Sequence, residues 1–306
     1  MIKNFLFHRV NPKRDPLWDP MDVGLFEKCI NYISKTYEVA LIEDLVSSNE
    51  INSENKFATI MFDDGYKDNI EYAAPILDKY KVKASFYVVT NCIDQNIVTW
   101  THELEHLFQF ANKTEIKMDL DFLPDELKIS QLKDNSERMA YVRKLKPFLK
   151  KISHVKRNKV LEIIAQTYND VQLPKLMMGW KDLSELKNAG HYIGSHSVTH
   201  AMLGTMTDEN EIKNELQLSG IKIKEHLGYF PQTISYPVGS FNEATKHLAK
   251  ETGYTIGLAV KQTVYDQHKT DIFEIPRIEL YNEPWWKTRL RITNTLENVK
   301  SLIGYK

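Results

Sequence analysis

Phe57-Ala58-Thr59-Ile60-Met61-Phe62-Asp63-Asp64-Gly65 is the stretch that decides the fold class. Its first six residues form a nearly continuous apolar run, which suits a strand buried on both faces of a parallel sheet. The run stops on two carboxylates and a glycine. In a parallel α/β fold, sites are built at the carboxyl ends of strands. Outward from this point, strand-like and helix-like patterns alternate. Strands are expected at Ile2–Phe7, Glu38–Leu41, Ala84–Val89, Tyr192–Gly194, Thr233–Tyr236, Thr255–Ala259 and Ile275–Ile278. Helices are expected at Leu25–Ser34, Asn69–Tyr80, Trp180–Asn188, Asp208–Leu227 and Glu243–Glu251. Gly190, Gly228 and Gly253 stand where helices end, and Asp208 with Glu211 has the spacing of a capping box. The alternation predicts a parallel α/β fold, and the number of strands favours a barrel over an open sheet.

One block interrupts the rhythm. Residues 100–176 carry few strand signals and few glycines. Ile116, Met118, Leu120 and Phe122 alternate as in a small strand; Val142–Ile152 and Val155–Tyr168 read as helices, with Pro147 weakening the first. Strands of the same sheet are expected on both sides, so the block is an insertion within a single domain of residues 1–306. A C-terminal helix is expected at about 285–303, behind Trp285-Trp286.

The chain has 306 residues, 40 Lys+Arg against 41 Asp+Glu, 42% hydrophobic and 26% charged residues. These values exclude a mainly disordered chain, a collagen or a coiled coil. A formal net charge of -1 argues against a dedicated nucleic-acid binder. Two cysteines, Cys29 and Cys92, are too few for a disulfide framework or a four-thiolate zinc site, and both are expected as packed thiols. The first ten residues are too polar for a secretory segment and no apolar stretch is long enough to span a membrane, so the sequence reads as soluble and cytoplasmic.

Two clusters carry chemistry. Adjacent Asp63 and Asp64 repel each other at a strand end, which a cation or a division into ligand and base relieves. Read alone, Asp-Asp-Gly is also a polar turn with a capping aspartate. His196 and His200, in His196-Ser197-Val198-Thr199-His200, follow another expected strand, and histidines four apart on a helical turn face the same way. Two imidazoles and a carboxylate are a common catalytic zinc set and also suit other divalent metals. A spare carboxylate then serves as general base.

Ile60-Met61-Phe62-Asp63-Asp64-Gly65 resembles the first motif of the polysaccharide deacetylases, the carbohydrate esterases with the NodB-homology fold. His196-Ser197-Val198-Thr199-His200 resembles their second motif, and Ser235-Tyr236-Pro237-Val238-Gly239 a divergent third. Phe7-His8-Arg9-Val10 is similar to the opening of many bacterial members. The resemblance implies a distorted (β/α) barrel with fewer than eight strands. It implies Asp63 as base and Asp64, His196 and His200 as ligands of a divalent metal, zinc foremost. The implied reaction is hydrolytic removal of an N-acetyl group from an amino sugar, with a backbone N–H near Val238 stabilising the oxyanion.

The sequence departs from that pattern twice. The family's third motif carries an Arg two residues before the Pro, where this chain has Ser235; Arg277, at another expected strand end, is the replacement proposed for orienting Asp63. The family's last motif, Leu-x-His, supplies the general acid, whereas here the segment is Ile278-Glu279-Leu280. His8, ending the first strand, is the first substitute, and His268 a weaker one. Trp100, Trp180, Tyr236 and Pro237 are candidates for contacts with a sugar, alongside Val238. Arg143–Lys159 is rich in Lys and Arg without an acid, a surface for anionic lipid or a phosphate-bearing carrier. The expected substrate is an acetylated amino sugar, as a sugar nucleotide or lipid-linked glycan precursor. The competing readings are another amide or ester hydrolase on this fold and a carbohydrate-binding relative without turnover.

Overall fold

The computed structural model of the chain describes residues 1–15, 17–47 and 56–295. Its strands are β1 (Ile2–Phe7), β2 (Glu38–Val39), β3 (Phe57–Phe62), β4 (Ser85–Val88), β5 (Glu115–Lys117), β6 (Ile129–Gln131), β7 (Tyr192–Ser195), β8 (Thr233–Ser235), β9 (Ile256–Leu258) and β10 (Ile278–Glu279). The main sheet is parallel and runs β10-β1-β3-β4-β7-β8-β9, with β2 paired to the first residues of β3. Ile275 bridges to Leu258 of β9 and Ile278 pairs with Phe5 of β1, so one short segment links the two ends of the sheet. The result is a curled half-barrel with helices packed around it.

The helices are α1 (Val23–Thr36), α2 (Ile42–Ser47), α3 (Ala74–Lys79), α4 (Thr90–Gln95), α5 (Trp100–Phe110), α6 (Asp125–Lys128), α7 (Asn135–Leu149), α8 (His154–Thr167), α9 (Trp180–Asn188), α10 (Glu209–Leu227), α11 (Glu243–Glu251) and α12 (Trp285–Ile292). Asp208 caps α10 by accepting from the backbone N–H of Asn210 and Glu211, and Gly228 ends it at φ 84°. The run expected to be one helix from Asn69 begins instead as a π-helical turn, Asn69–Ala73, before α3. Pro75 has no N–H to continue the ordinary ladder, and the Asn69 side chain donates to the His8 carbonyl at 2.8 Å. α7 starts and stops earlier than the expected Val142–Ile152, and Pro147 lies inside it, near its end. Of the expected C-terminal helix, the part beyond residue 295 lies outside the described residues.

Strand alternation sorts the side chains. Ala58, Ile60 and Phe62 face outward with Phe5, Phe7 and Phe86, packing against Phe26 and Ile30 of α1 and Leu183 of α9. Phe62 stacks between Phe7 and Phe86 at 5.5 and 4.9 Å. Thr59, Met61 and the residue after the strand, Asp63, therefore face the concave side. There Met61 packs with Tyr87, Ile256 and Leu258. Beneath the site, buried Glu43 accepts hydrogen bonds from Ser85, Tyr87 and Thr233, which offset its desolvation.

Residues 100–176 hold α5 to α8 and the antiparallel pair of β5 and β6. They build an apolar cluster of their own, in which Leu104 and Phe108 of α5 meet Leu145 and Leu149 of α7 and Val160 and Ile164 of α8. Cys29 and Cys92 are both buried free thiols. Among the described residues no helix is long and apolar enough to cross a membrane.

Candidate active site

The parity of β3 delivers Asp63 to the concave side, and a tight turn delivers Asp64. Asp64 has φ 75° and Gly65 φ 90°. A Cβ on Gly65 would also meet the Ile93 and Val88 side chains at 3.0 and 3.1 Å, so this position admits glycine on two counts. Both carboxylates are only 2% exposed.

The histidine segment is not the helical turn its spacing suggests. It is a loop in which Ser197 and His200 adopt left-handed φ values of 65° and 61°. Glu215 of α10 stitches that loop, accepting from the Val198 and Thr199 N–H groups at 2.9 Å each. Ser197 Oγ accepts from the His200 N–H at 3.1 Å, and the Trp100 indole N–H donates to the His200 carbonyl at 3.1 Å. These bonds replace helical ones and still turn both rings toward Asp64. Val238 is another left-handed residue, at φ 58°; for a β-branched side chain this is strain, and it sits on the pocket wall.

Asp64 Oδ1 stands 3.4 Å from His196 Nε2 and 3.3 Å from His200 Nε2, and the three candidate ligand atoms all lie within 4.8 Å of one another. Asp64 Oδ1 is buried and receives no hydrogen bond in the structure. Two ligands about 2.1 Å from a tetrahedral ion are roughly 3.4 Å apart, so the spacing fits a shared divalent cation. The His196 Nδ1 lies 2.7 Å from the Ser235 carbonyl oxygen. A carbonyl only accepts, so Nδ1 carries the proton and Nε2 of the neutral ring offers its lone pair to the site.

Asp63 is held from another direction. Arg277, fully buried, places Nη1 2.7 Å from Asp63 Oδ1 and Nη2 2.9 Å from Oδ2, while its Nε–H donates to the Ala259 carbonyl. Ser235 Oγ donates to the same carboxylate at 3.1 to 3.2 Å. Burial pushes the Asp63 carboxyl upward, but the charges of Arg277 and His196 outweigh it and hold the group below the usual range. Burial likewise opposes ionisation of Asp64, and His196 and His200 hold it well below the ordinary value. His200 is pushed down to about 3, chiefly by burial. His196 is raised, because Asp63 and Asp64 outweigh its burial.

The cavity over these groups measures about 210 Å³. His8 lines it, half-buried, with Nδ1 3.5 Å from Glu279 Oε1 and its ring edge-on to Trp18. Glu279 and Arg277 face inward because they share one parity; Leu280, where the family motif would have histidine, is buried among outward-facing residues. Lys146 and Lys150 of the insertion also line the cavity, as do Thr101 and Val260.

Several expected sugar contacts are corrected. Tyr236 is fully buried, because the alternation of β8 turns it outward, where it stacks on Phe241 at 4.8 Å. Pro237 is buried beside it and does not line the cavity. Trp180 lies at the start of α9, stacked on His226 and bonded to Asp94, away from the cavity. Trp100 stays behind the histidine loop, its ring under the Arg157 guanidinium at 5.6 Å. His268 is exposed beside Gln267, away from the cavity. The sequence reading missed Glu215, Glu279, Trp18 and the two lysines as site residues; only the i, i+4 spacing of Lys146 and Lys150 hinted that they share a helix face.

The Trp100 contact makes a prediction. Trp100→Phe keeps an aromatic ring, although a smaller one, and deletes one hydrogen bond to the histidine loop. Under the metal-binding reading proposed below, zinc affinity measured against a chromophoric chelator should weaken by about 2- to 10-fold, the worth of one such bond. Unchanged affinity would show that the loop is positioned without it.

The model of the polysaccharide deacetylase family matches residues 50–257. No curated protein matches the chain. Among solved structures, the fold is similar to the Streptococcus pyogenes deacetylase PplD in complex with acetate, with a TM-score of 0.63 and 16% identity over 95% of this chain and 96% of that one. A de-N-acetylase from Aggregatibacter actinomycetemcomitans aligns with a TM-score of 0.61 and 16% identity, over 96% of this chain and 98% of that one. IcaB from Ammonifex degensii aligns at 0.57 and 14% identity, over 95% and 96%. The family model spans both acidic and histidine motifs and the strands that present them, so the chain belongs to the polysaccharide deacetylase family and is an N-deacetylase hydrolase.

Proposed function

We propose that the chain is a metal-dependent hydrolase that removes the N-acetyl group from an amino sugar of a glycan or glycan precursor. The observation that carries this reading is the division between the two aspartates. Asp64 Oδ1, which receives no hydrogen bond, faces two imidazoles, while Asp63 is clamped by Arg277 beside them.

In this reading Asp64, His196 and His200 hold a divalent cation, zinc first. When bound, that ion supplies Lewis acidity, lowering the pKa of water and drawing charge from a carbonyl oxygen. Asp63 accepts the proton of the attacking water. Arg277 and Ser235 keep that carboxylate ionised and aimed. The Val238 N–H donates to the oxygen that gains charge on the acetamide carbon. His8, with Glu279 behind it, gives the proton to the departing amine, and acetate leaves. We take residues 1–306 as one catalytic unit, because the cavity is lined by both half-barrel and insertion. A sugar nucleotide or lipid-linked precursor on the cytoplasmic side is the proposed substrate form, with exposed lysines of the insertion meeting anionic lipid.

The test is acetate release from a panel of N-acetylated amino sugars by the zinc-loaded protein. Activity should vanish with chelator and return with zinc. Chelator-resistant activity would overturn metal dependence, and hydrolysis confined to simple esters or other amides would overturn the sugar substrate.

A further inference from the structure

Among the described residues, the titratable groups lining the cavity each have a close polar neighbour, with one exception. Arg277 forks onto Asp63, the two imidazoles face Asp64 at 3.4 and 3.3 Å, and Glu279 lies 3.5 Å from His8. Lys146 is bound to Glu105 of α5 at 2.5 Å. Lys150, one turn further along and also on the cavity wall, has no ion-pair or hydrogen-bond partner for its ammonium among the described residues. It is half-buried, not swinging free on the surface.

Its position is built into the fold. Lys150 is the C-cap of α7, with its own N–H bonded to the Lys146 carbonyl. Leu145 and Leu149, on the adjoining side of that helix, pack in one cluster with Leu104 and Phe108. The negative end of the helix dipole favours a cation there. Burial and the charge of Lys146 hold the Lys150 ammonium below the ordinary lysine value, against the opposing pull of Glu105, Glu279 and Asp64, and an anion in direct contact would raise it again.

Resting on the deacetylase reading above, we propose that Lys150 recognises an anionic substituent of the substrate, so that the amino sugar taken by this site carries a phosphate ester or a carboxylate close to the scissile acetamide. A neutral sugar would bury that ammonium further without giving it a hydrogen-bond or ion-pair partner, which disfavours it. A charged hydrogen bond gives the discrimination between the two.

The experiment compares the zinc-loaded wild type with Lys150→Gln and Lys150→Arg on three probes: N-acetylglucosamine 1-phosphate, the methyl glycoside of an N-acetylhexosaminuronic acid, and neutral methyl N-acetylglucosaminide. Binding is read by calorimetry and turnover by acetate release. Lys150→Gln should weaken binding, or raise KM, by about tenfold or more for the preferred anionic probe and less than about twofold for the neutral one. Lys150→Arg should restore most of the loss. The probe that responds identifies phosphate or carboxylate as the anion. Equal binding of charged and neutral probes by the wild type, or equal losses on both in Lys150→Gln, would overturn the proposal. Absence of acetate release from every probe would count against the deacetylase reading, while the calorimetric comparison would still decide the role of Lys150.

Discussion

Asp63→Asn should lower kcat for acetate release by about 10²- to 10⁴-fold, the range expected for loss of a general base. The amide keeps the shape of the carboxylate but cannot take a proton. Zinc affinity should change little, because Asp64 and the two histidines are untouched. The variant should also be less stable, since Arg277 is fully buried and would lose its counter-charge. Kinetics are therefore read at a temperature where circular dichroism shows the variant folded. A folded, zinc-loaded Asp63→Asn enzyme turning over at near wild-type rate would remove Asp63 from the role of base.

Arg277→Met is expected to cost about 3–5 kcal/mol of stability, because it strands a buried carboxylate. The pair Asp63→Asn with Arg277→Met should recover most of that loss without recovering activity, a coupling that a denaturant-based double-mutant cycle reads directly. The pH sign follows from the same contact. Burial alone would raise Asp63, and the charge of Arg277 does most to lower it. Without Arg277 the acid limb of kcat/KM should move to higher pH, since the base would be protonated sooner. A folded-state pKa held below its unfolded value contributes stability above the unfolded value and loses it as pH falls through the folded one. The stability gap between wild type and Arg277→Met should accordingly narrow in acid. An unmoved acid limb would mean that Arg277 is a structural ion only.

Much of this site was legible in one dimension. Asp63-Asp64-Gly65 after an apolar run announced a strand end, because burial on both faces demands the run and the turn demands glycine. His196 and His200 announced a paired site, although the reason offered, a shared helical face, was wrong. A loop held by Glu215 and Trp100 aims the rings instead, and such cross-links leave no local periodicity to read. Arg277 was placed at a strand end by pattern, but its fork onto Asp63 spans 214 positions of sequence and needs the sheet to curl.

The aromatic candidates show the limit from the other side. Tyr236 and Trp180 carry the chemistry to stack on sugar, yet alternation along β8 turns one into the core and helix packing takes the other away. Lys150 shows the reverse. In sequence it belonged to an undivided basic stretch, and only docking of α7 over the barrel separated it from solvent-facing neighbours. The sequence by itself determined the kinds of groups available, the parallel strands and the order of the motifs, because these follow from local pattern and burial. The tertiary structure decided which groups meet, which charge finds a partner and which does not, because pairing across the sheet ends and against the insertion depends on distances that no local pattern contains.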